Sequence, residues 1–307
     1  MIDRIVLREV GPRDGLQQVA DFLPTDTKIE WCRAQAACGF AEIEATSFVP
    51  PSVLPQFADA AEVLAGANGI DGLLPSVLAV NLKGAVRAMN AGARKINFVV
   101  SVSDAHSRSN VRKSTEDALD ELRAALAERD ARGLPIVMGC GLATTFGCSI
   151  DGAVPLARVR ALAARVAALG VDEITLADTV GYANPVQVRE TVAAVGGEAG
   201  GLPLSAHFHD TRGMGLANVV AAVEGGVRHI DASLGGLGGC PFAPGATGNI
   251  ATEDTVYLLE SMGLDTGIDL DAVLALRARL PEWLPTARIE GRLAEAGPAK
   301  SWAGRQR

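Results

Sequence analysis

A (β/α)8 TIM barrel of the α/β class, with a short helical appendage at the C-terminus, is the fold that the sequence predicts. Short β-branched runs alternate with longer alanine-rich segments of helical period from one end almost to the other, the pattern of repeated βα units around a parallel sheet. Eight units can be counted, and they occupy about 260 residues, the usual size of a closed barrel; a doubly wound open sheet seldom needs so many regular units.

In chain order, the first strand is expected at residues 4–10, followed by the helix Asp26–Cys38, a second strand at 40–46 and a third at 72–79. Leu82–Ala91 reads as a helix leading to the fourth strand at 94–101, and Thr115–Arg132 as one leading to the fifth at 134–143. Pro155–Leu169 precedes the sixth strand at 171–177, Pro185–Val195 the seventh at 203–209, and Gly215–Glu224 the eighth at 227–234. Each strand is apolar and bounded by Gly, Pro or Asp. Several helices have Ser, Thr, Asp or Asn just before the first turn, and Pro185 suits a first helical turn, whose N–H groups have no intrahelical partner in any case. Beyond residue 262 the period breaks: Asp269–Leu280 is helical in pattern and Gly291–Arg307 is mixed. The barrel is accordingly set at 1–262 and the appendage, packed on it, at 263–307.

Composition narrows the partner. With 48% hydrophobic residues among 307, the chain can bury a large core. Its formal charge of −8 argues against nucleic acid or an anionic membrane as the main partner, and a small molecule fits better. The five cysteines, Cys32, Cys38, Cys140, Cys148 and Cys240, are odd in number, lack a C-x-x-C pair and are too sparse for a disulfide framework, so they read as reduced thiols. Met1 leads straight into Ile5-Val6-Leu7 without a signal-peptide pattern, no apolar run is long enough to span a bilayer, and Gly304-Arg305-Gln306-Arg307 is no peroxisomal address. A cytoplasmic protein is expected.

In a barrel the site must lie at the C-terminal ends of the strands, so polar residues there are the candidates. The first strand leads to Arg13-Asp14-Gly15-Leu16-Gln17, and the second carries Glu44. The sixth ends in Thr175-Leu176-Ala177-Asp178-Thr179, the seventh in His207-Phe208-His209, and the eighth leads through a glycine-dense run to Cys240 and Asn249. Glycine permits backbone conformations that other residues resist, so residues 235–249 read as a closing flap that presents the Cys240 thiol; a plain turn with a buried cysteine is the alternative.

His207 and His209 stand two apart in a strand, so both imidazoles point to one side, as two strand ligands of a divalent metal must. Taken alone, the pair reads equally well as two histidines satisfied by hydrogen bonds. That two of only four histidines share this register favours a metal. Asp14 would add a carboxylate and Asn249 a carbonyl oxygen, a mixed set suited to Mg²⁺ or Mn²⁺ rather than to structural Zn²⁺. Arg13 could stabilise an oxygen where negative charge develops, with Glu44 orienting it or simply closing a buried ion pair. For Thr179 helix capping is the competing role.

Around these residues the chain resembles one family. Val10-Gly11-Pro12-Arg13-Asp14-Gly15-Leu16-Gln17, Thr46-Ser47-Phe48-Val49, Asn81-Leu82-Lys83-Gly84, His207-Phe208-His209-Asp210-Thr211 and residues 236–257 are similar to the 3-hydroxy-3-methylglutaryl-CoA lyases of the DRE-TIM metallolyase superfamily. The most specific parts are Gly236-Leu237-Gly238-Gly239-Cys240-Pro241 and Gly248-Asn249-Ile250-Ala251-Thr252-Glu253-Asp254. The resemblance covers almost the whole chain. It implies retro-Claisen cleavage of a tertiary 3-hydroxyacyl-CoA, by default 3-hydroxy-3-methylglutaryl-CoA to acetyl-CoA and acetoacetate. It also implies a divalent metal on Asp14, His207, His209 and Asn249, catalytic Arg13 and Cys240, and a homodimer. Asp14 or His207 would take the hydroxyl proton, and Gln17, Glu44, Thr175, Asp178, Thr179 and Glu253 would support the substrate.

Three stretches depart from the family pattern where the substrate is expected. Pro50-Pro51-Ser52-Val53-Leu54-Pro55-Gln56 lacks the usual Lys and Trp. Val102-Ser103-Asp104-Ala105-His106 replaces Ala-Ser-Glu-x-Phe, and Ala143-Thr144-Thr145-Phe146-Gly147-Cys148-Ser149-Ile150 replaces Ser-Cys-Ala-Leu-Gly-Cys-Pro-Tyr. His106 reads first as an exposed loop histidine, with a polar contact to an altered acyl group as the alternative. These departures make a lyase for a different 3-hydroxyacyl-CoA the nearest rival. A Claisen-condensing synthase of the isopropylmalate type usually has Gly-Glu-Arg at the Cys240 flap and a long regulatory domain, and a non-catalytic acyl-CoA-binding paralogue would not need the complete set of polar residues.

Overall fold

The computed structural model describes residues 3–20, 22–239 and 248–302. Its strands are β1 (Val6–Glu9), β2 (Glu42–Ser47), β3 (Leu74–Ala79), β4 (Lys95–Ser101), β5 (Val137–Ala143), β6 (Glu173–Asp178), β7 (Leu204–Phe208) and β8 (His229–Ala232). They close into one parallel barrel in sequence order, with Val6 of β1 opposite His229 of β8 and Glu9 opposite Ala232. The expected fold is therefore the observed one. Every strand falls inside its expected stretch or within one residue of it.

The helices are α1 (Thr25–Ala37), α2 (Ala60–Asn68), α3 (Leu82–Asn90), α4 (Asp104–Val111), α5 (Thr115–Ala131), α6 (Leu156–Ala168), α7 (Pro185–Glu198), α8 (Gly215–Glu224), α9 (Thr252–Ser261), α10 (Leu270–Arg277), α11 (Leu280–Trp283) and α12 (Leu293–Ala296). No helix among the described residues is long and apolar enough to cross a membrane. The expected helix Asp269–Leu280 is divided. Asp269 caps α10 by accepting from Ala272 N at 3.1 Å, but Pro281, in the first turn of α11, has no N–H to continue the ladder, and the chain restarts there.

Strand alternation sends two different surfaces to the two sides of the sheet. Outward lie apolar side chains such as Ile96, Phe98, Ile174, Leu176 and Phe208, fully buried in the same core as Leu119, Leu122, Val159 and Val166 of α5 and α6. Inward, the bore is ionic. Arg8 Nε donates to Asp231 Oδ1 at 2.6 Å and Nη1 pairs with Glu173; Lys95 Nζ reaches Glu42 Oε1 at 2.7 Å and Glu173 Oε2 at 3.0 Å. Charges this deep persist only because each is paired, since an isolated buried ion costs several kcal/mol.

Beyond α9 the chain is fastened to the region below the glycine-rich stretch. Arg277 Nε donates to Glu253 Oε1 at 2.6 Å, Glu290 N to Gly235 O at 2.7 Å, and the backbone N–H groups of Arg292 and Leu293 each reach Asp254 at 2.8 Å.

Candidate active site

The chain turns sharply after β1, with Asp14 N bonded back to Val10 O at 2.7 Å, and this places Arg13 and Asp14 at the barrel mouth. Arg13 Nη1 donates to Asp14 Oδ1 at 2.6 Å and to Gln17 Oε1 at 3.4 Å, while Nε and Nη2 hold Glu44 Oε2 from β2. Glu44 is itself fixed from β4, where Asn97 Nδ2 donates to its Oε1 at 2.9 Å. Burial opposes the charge on Arg13, but Glu44 and Asp14 outweigh it and raise its pKa. Burial likewise disfavours ionised Asp14. Arg13 and the neighbouring histidines overcome that and hold its carboxyl well below the usual carboxylate range.

On the other side of Asp14 stand His207, in β7, and His209, just beyond it. Their Nε2 atoms lie 3.2 Å apart, and Asp14 Oδ2 is 3.9 Å from the first and 3.8 Å from the second. An isolated bridge pairs His209 with Asn249, which brings a residue from beyond the glycine-rich stretch to the same point. Asn249 Nδ2 donates to Asp14 Oδ2 at 2.7 Å and to Leu237 O at 3.0 Å, and its buried Oδ1 has no partner among the described residues. Gly238, at φ +114°, must lack a side chain here: a Cβ would stand 2.6 Å from Asn249 Nδ2.

The convergence fits a cation. Asp14, His207 and His209 offer one ligand atom each, all within 4.8 Å of one another, and an orphaned amide oxygen is costly when buried unless something takes its lone pairs. Oxygen and imidazole donors without a described thiol define a site for a divalent cation. Behind it, Asp231 Oδ2 lies 3.3 Å from His207 Nδ1. Burial works against protonated His207, yet the Asp231 hydrogen bond and the Asp14 charge prevail and raise its pKa.

Above the bore these groups open into a cavity of about 180 Å³, lined by Arg13, Asp14, Gln17, Glu44, Thr175, Thr179, His207 and His209 of the expected residues. Thr179 does not cap a helix; its Oγ1 accepts from Thr144 N at 2.8 Å. Asp178 does not line the cavity. Its carboxylate accepts from the N–H groups of Tyr182 at 2.8 Å and Ala183 at 3.2 Å, and burial raises its pKa. Glu253 is fully buried and accepts from Gly235 N at 3.0 Å as well as from Arg277. Cys240 lies outside the described residues.

Sequence reasoning missed Asp231 and Asn97, which the period-2 alternation of β8 and β4 could have turned toward the bore. It also misplaced His106. That residue is 2% exposed, sits on α4 rather than in an open loop, and lines the cavity. Nor does the departing stretch 50–56 line the cavity, unlike Ala143 and His106 from the other two.

A closed parallel barrel with an aspartate and a His-x-His pair converging at its C-terminal mouth defines a barrel enzyme of the metal-site class. The HMGL-like family model matches residues 4–279, and the chain belongs to that family. It is 38% identical over 291 residues to the hydroxymethylglutaryl-CoA lyase YngG of Bacillus subtilis, covering 94% of this chain and 97% of that one. To the mitochondrial hydroxymethylglutaryl-CoA lyase of Gallus gallus it is 39% identical over 273 residues, covering 88% and 90%. Among solved structures, an HMG-CoA lyase from A. baumannii in complex with coenzyme A and 3-methylmalate superposes with a TM-score of 0.92 at 42% identity, covering 97% of each chain.

Proposed function

We propose that the protein is a carbon–carbon lyase that cleaves 3-hydroxy-3-methylglutaryl-CoA to acetyl-CoA and acetoacetate, using Mg²⁺ or Mn²⁺. The observation that carries this is the meeting of Asp14, His207, His209 and the orphaned Asn249 oxygen beside Arg13, in a chain so similar to hydroxymethylglutaryl-CoA lyases. Those four residues would hold the ion, a hard cation suited to oxygen and imidazole donors. When bound, it supplies Lewis acidity at the 3-hydroxyl, lowering that group's pKa.

The remaining steps belong to the chain. Asp14 or His207 takes the hydroxyl proton. Each is held in place for it, Asp14 by Arg13 at Oδ1 and His207 by Asp231 at Nδ1. As the proton leaves, the C3–O bond becomes a carbonyl, C2–C3 breaks, and the electron pair moves into the acetyl-CoA enolate. Arg13, clamped by Glu44 and Asp14, stabilises the enolate oxygen without having to reorganise. Cys240 then gives C2 its proton.

Residues 1–262 serve as the catalytic barrel and 263–307 as its appendage, in a cytoplasmic homodimer whose partner is an acyl-CoA and neither nucleic acid nor membrane. The test is a coupled assay for both products from 3-hydroxy-3-methylglutaryl-CoA with Mg²⁺, with Mn²⁺ and after chelation, alongside other 3-hydroxyacyl-CoAs. Rapid, metal-dependent cleavage is expected. Failure with every thioester would overturn the assignment. A second reading, the same chemistry on a different acyl group, is favoured by the position of His106.

A further inference from the structure

The inner face of β5 carries no side chain where the other strands carry large ones. Cys140 and Leu142, both fully buried, take its outward positions, so alternation turns Gly139 and Gly141 inward. At the level of the cavity β1, β2, β4, β6, β7 and β8 each present a polar side chain, from Arg8, Glu44, Asn97, Thr175, His207 and Asp231, whereas β5 presents only backbone at Gly141. The two glycines differ in what surrounds them. A Cβ at Gly139 would stand 3.1 Å from Oδ1 of Asn97, the amide that fixes Glu44, so the fold itself needs that space.

At Gly141 the fold makes no such demand. The atoms nearest to a Cβ there are Val99 Cγ2 at 3.7 Å and Phe98 O at 3.8 Å, ordinary contact distances, and φ is not positive. The ladders to β4 and β6 run through it without a register shift, so it marks no bulge. Glycine inside a strand costs about 0.5–1 kcal/mol relative to alanine. With packing and bulge set aside, the remaining reason for one is the close approach of a ligand. The cavity joins this gap to the cation site. Gly141 pairs with Thr175, and Ala177, the next inward residue of β6, pairs with His207. At about 4.8 Å per strand, the Gly141 backbone lies about 10 Å from that of His207 along the sheet. The wall between is apolar at Val99, Ala143 and Ala177, and Ala143 stands where the family pattern has a serine.

We propose that Gly141 is a specificity residue, and that the space it leaves admits an unbranched alkyl group longer than methyl at C3 of a tertiary 3-hydroxyacyl-CoA. The inference rests on the retro-Claisen reading of the site, which holds C3 at Asp14 and the histidines. A coenzyme A thioester can place only its acyl end in a cavity of about 180 Å³. From a C3 held at the cation site, an alkyl group of about three carbons reaches the gap, and the apolar wall along the way favours hydrocarbon over a charged substituent. The bonds made and broken are those of the shorter substrate; only the released 3-oxo acid is longer.

The experiment compares the wild type, Gly141→Ala and Gly141→Val on 3-hydroxy-3-methylglutaryl-CoA and on its 3-propyl homologue, which would cleave to acetyl-CoA and 3-oxohexanoate. Release of acetyl-CoA is the readout, and Mn²⁺ affinity by calorimetry checks that the cation site is intact. The wild type should cleave the propyl thioester with kcat/KM within about tenfold of that for the methyl one. Gly141→Val should lower kcat/KM for the propyl compound about ten- to two-hundredfold, the range for a methylene of misfit, while the methyl compound and Mn²⁺ affinity stay within about threefold. If the valine variant does not fold, Gly141→Ala, whose added methyl meets only ordinary contacts, decides by the same selective loss. A wild type that cleaves the methyl thioester but handles the propyl one more than about tenfold worse, or equal losses on both in the variants, would overturn the inference and leave the lyase reading standing. Cleavage of neither by the wild type would bring down that reading and this inference with it.

Discussion

Asp231 Oδ2 lies 3.3 Å from His207 Nδ1, on the opposite edge of the ring from the Nε2 that meets His209. The same carboxylate takes Arg8 Nε at 2.6 Å on its other oxygen. One aspartate thus joins the ionic bore to the cation site and sets which ring nitrogen faces the ligand. Such outer partners fix the tautomer of a ligating histidine and increase its basicity.

Asp231→Asn keeps the shape and removes the charge. Affinity for Mn²⁺, measured by calorimetry on the protein freed of metal, should fall about ten- to a hundredfold. Unchanged affinity would mean that Asp231 serves Arg8 alone.

Arg13→Lys keeps a positive charge but loses the fork that spans Glu44, Asp14 and Gln17. Turnover of the thioester should drop by about a hundred- to a thousandfold, the usual effect of losing a preorganised donor, with Mn²⁺ affinity held within a few-fold. An equal loss of both would place Arg13 in metal binding rather than in enolate stabilisation.

Glu9, the last residue of β1, is fully buried and accepts from Gly11 N at 2.8 Å, Leu234 N at 2.9 Å and Thr252 Oγ1 at 2.7 Å. Burial outweighs these donors and pushes its pKa up from 4.5 to about 7. Because the folded state holds the proton more tightly, the stabilisation is complete below the unfolded pKa and disappears as pH rises through about 7. The shift corresponds to about 3 kcal/mol at most. The melting temperature should therefore decline between pH 5 and pH 8, and Glu9→Gln, which mimics the protonated acid, should flatten that slope. Glu253, whose pKa burial also raises, leaves a residual slope of the same sign, whereas Glu173 and Asp231, both depressed by their cationic partners despite burial, titrate below this window. A slope unaltered in the variant would assign the effect elsewhere.

Cys240→Ser should lower turnover far more than Mn²⁺ affinity, since the proposed thiol moves a proton and holds no ion. Single-turnover kinetics beside calorimetry separate the two, and matched losses would contradict the role.

The barrel was legible because strand and helix periods differ and repeat eight times; no single element had to be read correctly for the total to emerge. Polar α4 shows where that logic fails. Asp104-Ala105-His106-Ser107-Arg108-Ser109-Asn110-Val111 has no apolar stripe, and its helix is imposed by the Ser103 cap and by Thr144 from another loop. Asp14, Arg13 and the histidine pair could be found because unusual residues stood at strand ends. Asp231 and Glu9 looked like ordinary strand carboxylates, and what distinguishes them, the partners they meet where the barrel closes between β1 and β8, includes residues more than 200 positions away in sequence.

A bore filled with hydrocarbon can drift one methylene at a time, because each change costs only a little packing. Arg8, Glu42, Lys95, Glu173 and Asp231 behave instead like ions in a lattice, where neutralising one strands its neighbours. Since the lattice reaches His207 through Asp231, single replacements deep in the barrel will register at the mouth as altered catalysis. Libraries that vary those five positions one at a time should yield few active proteins, while jointly varied sets that conserve pairing should recover them. The floor of this site can change only in matched steps, which makes it the slowest part of the molecule to be redesigned.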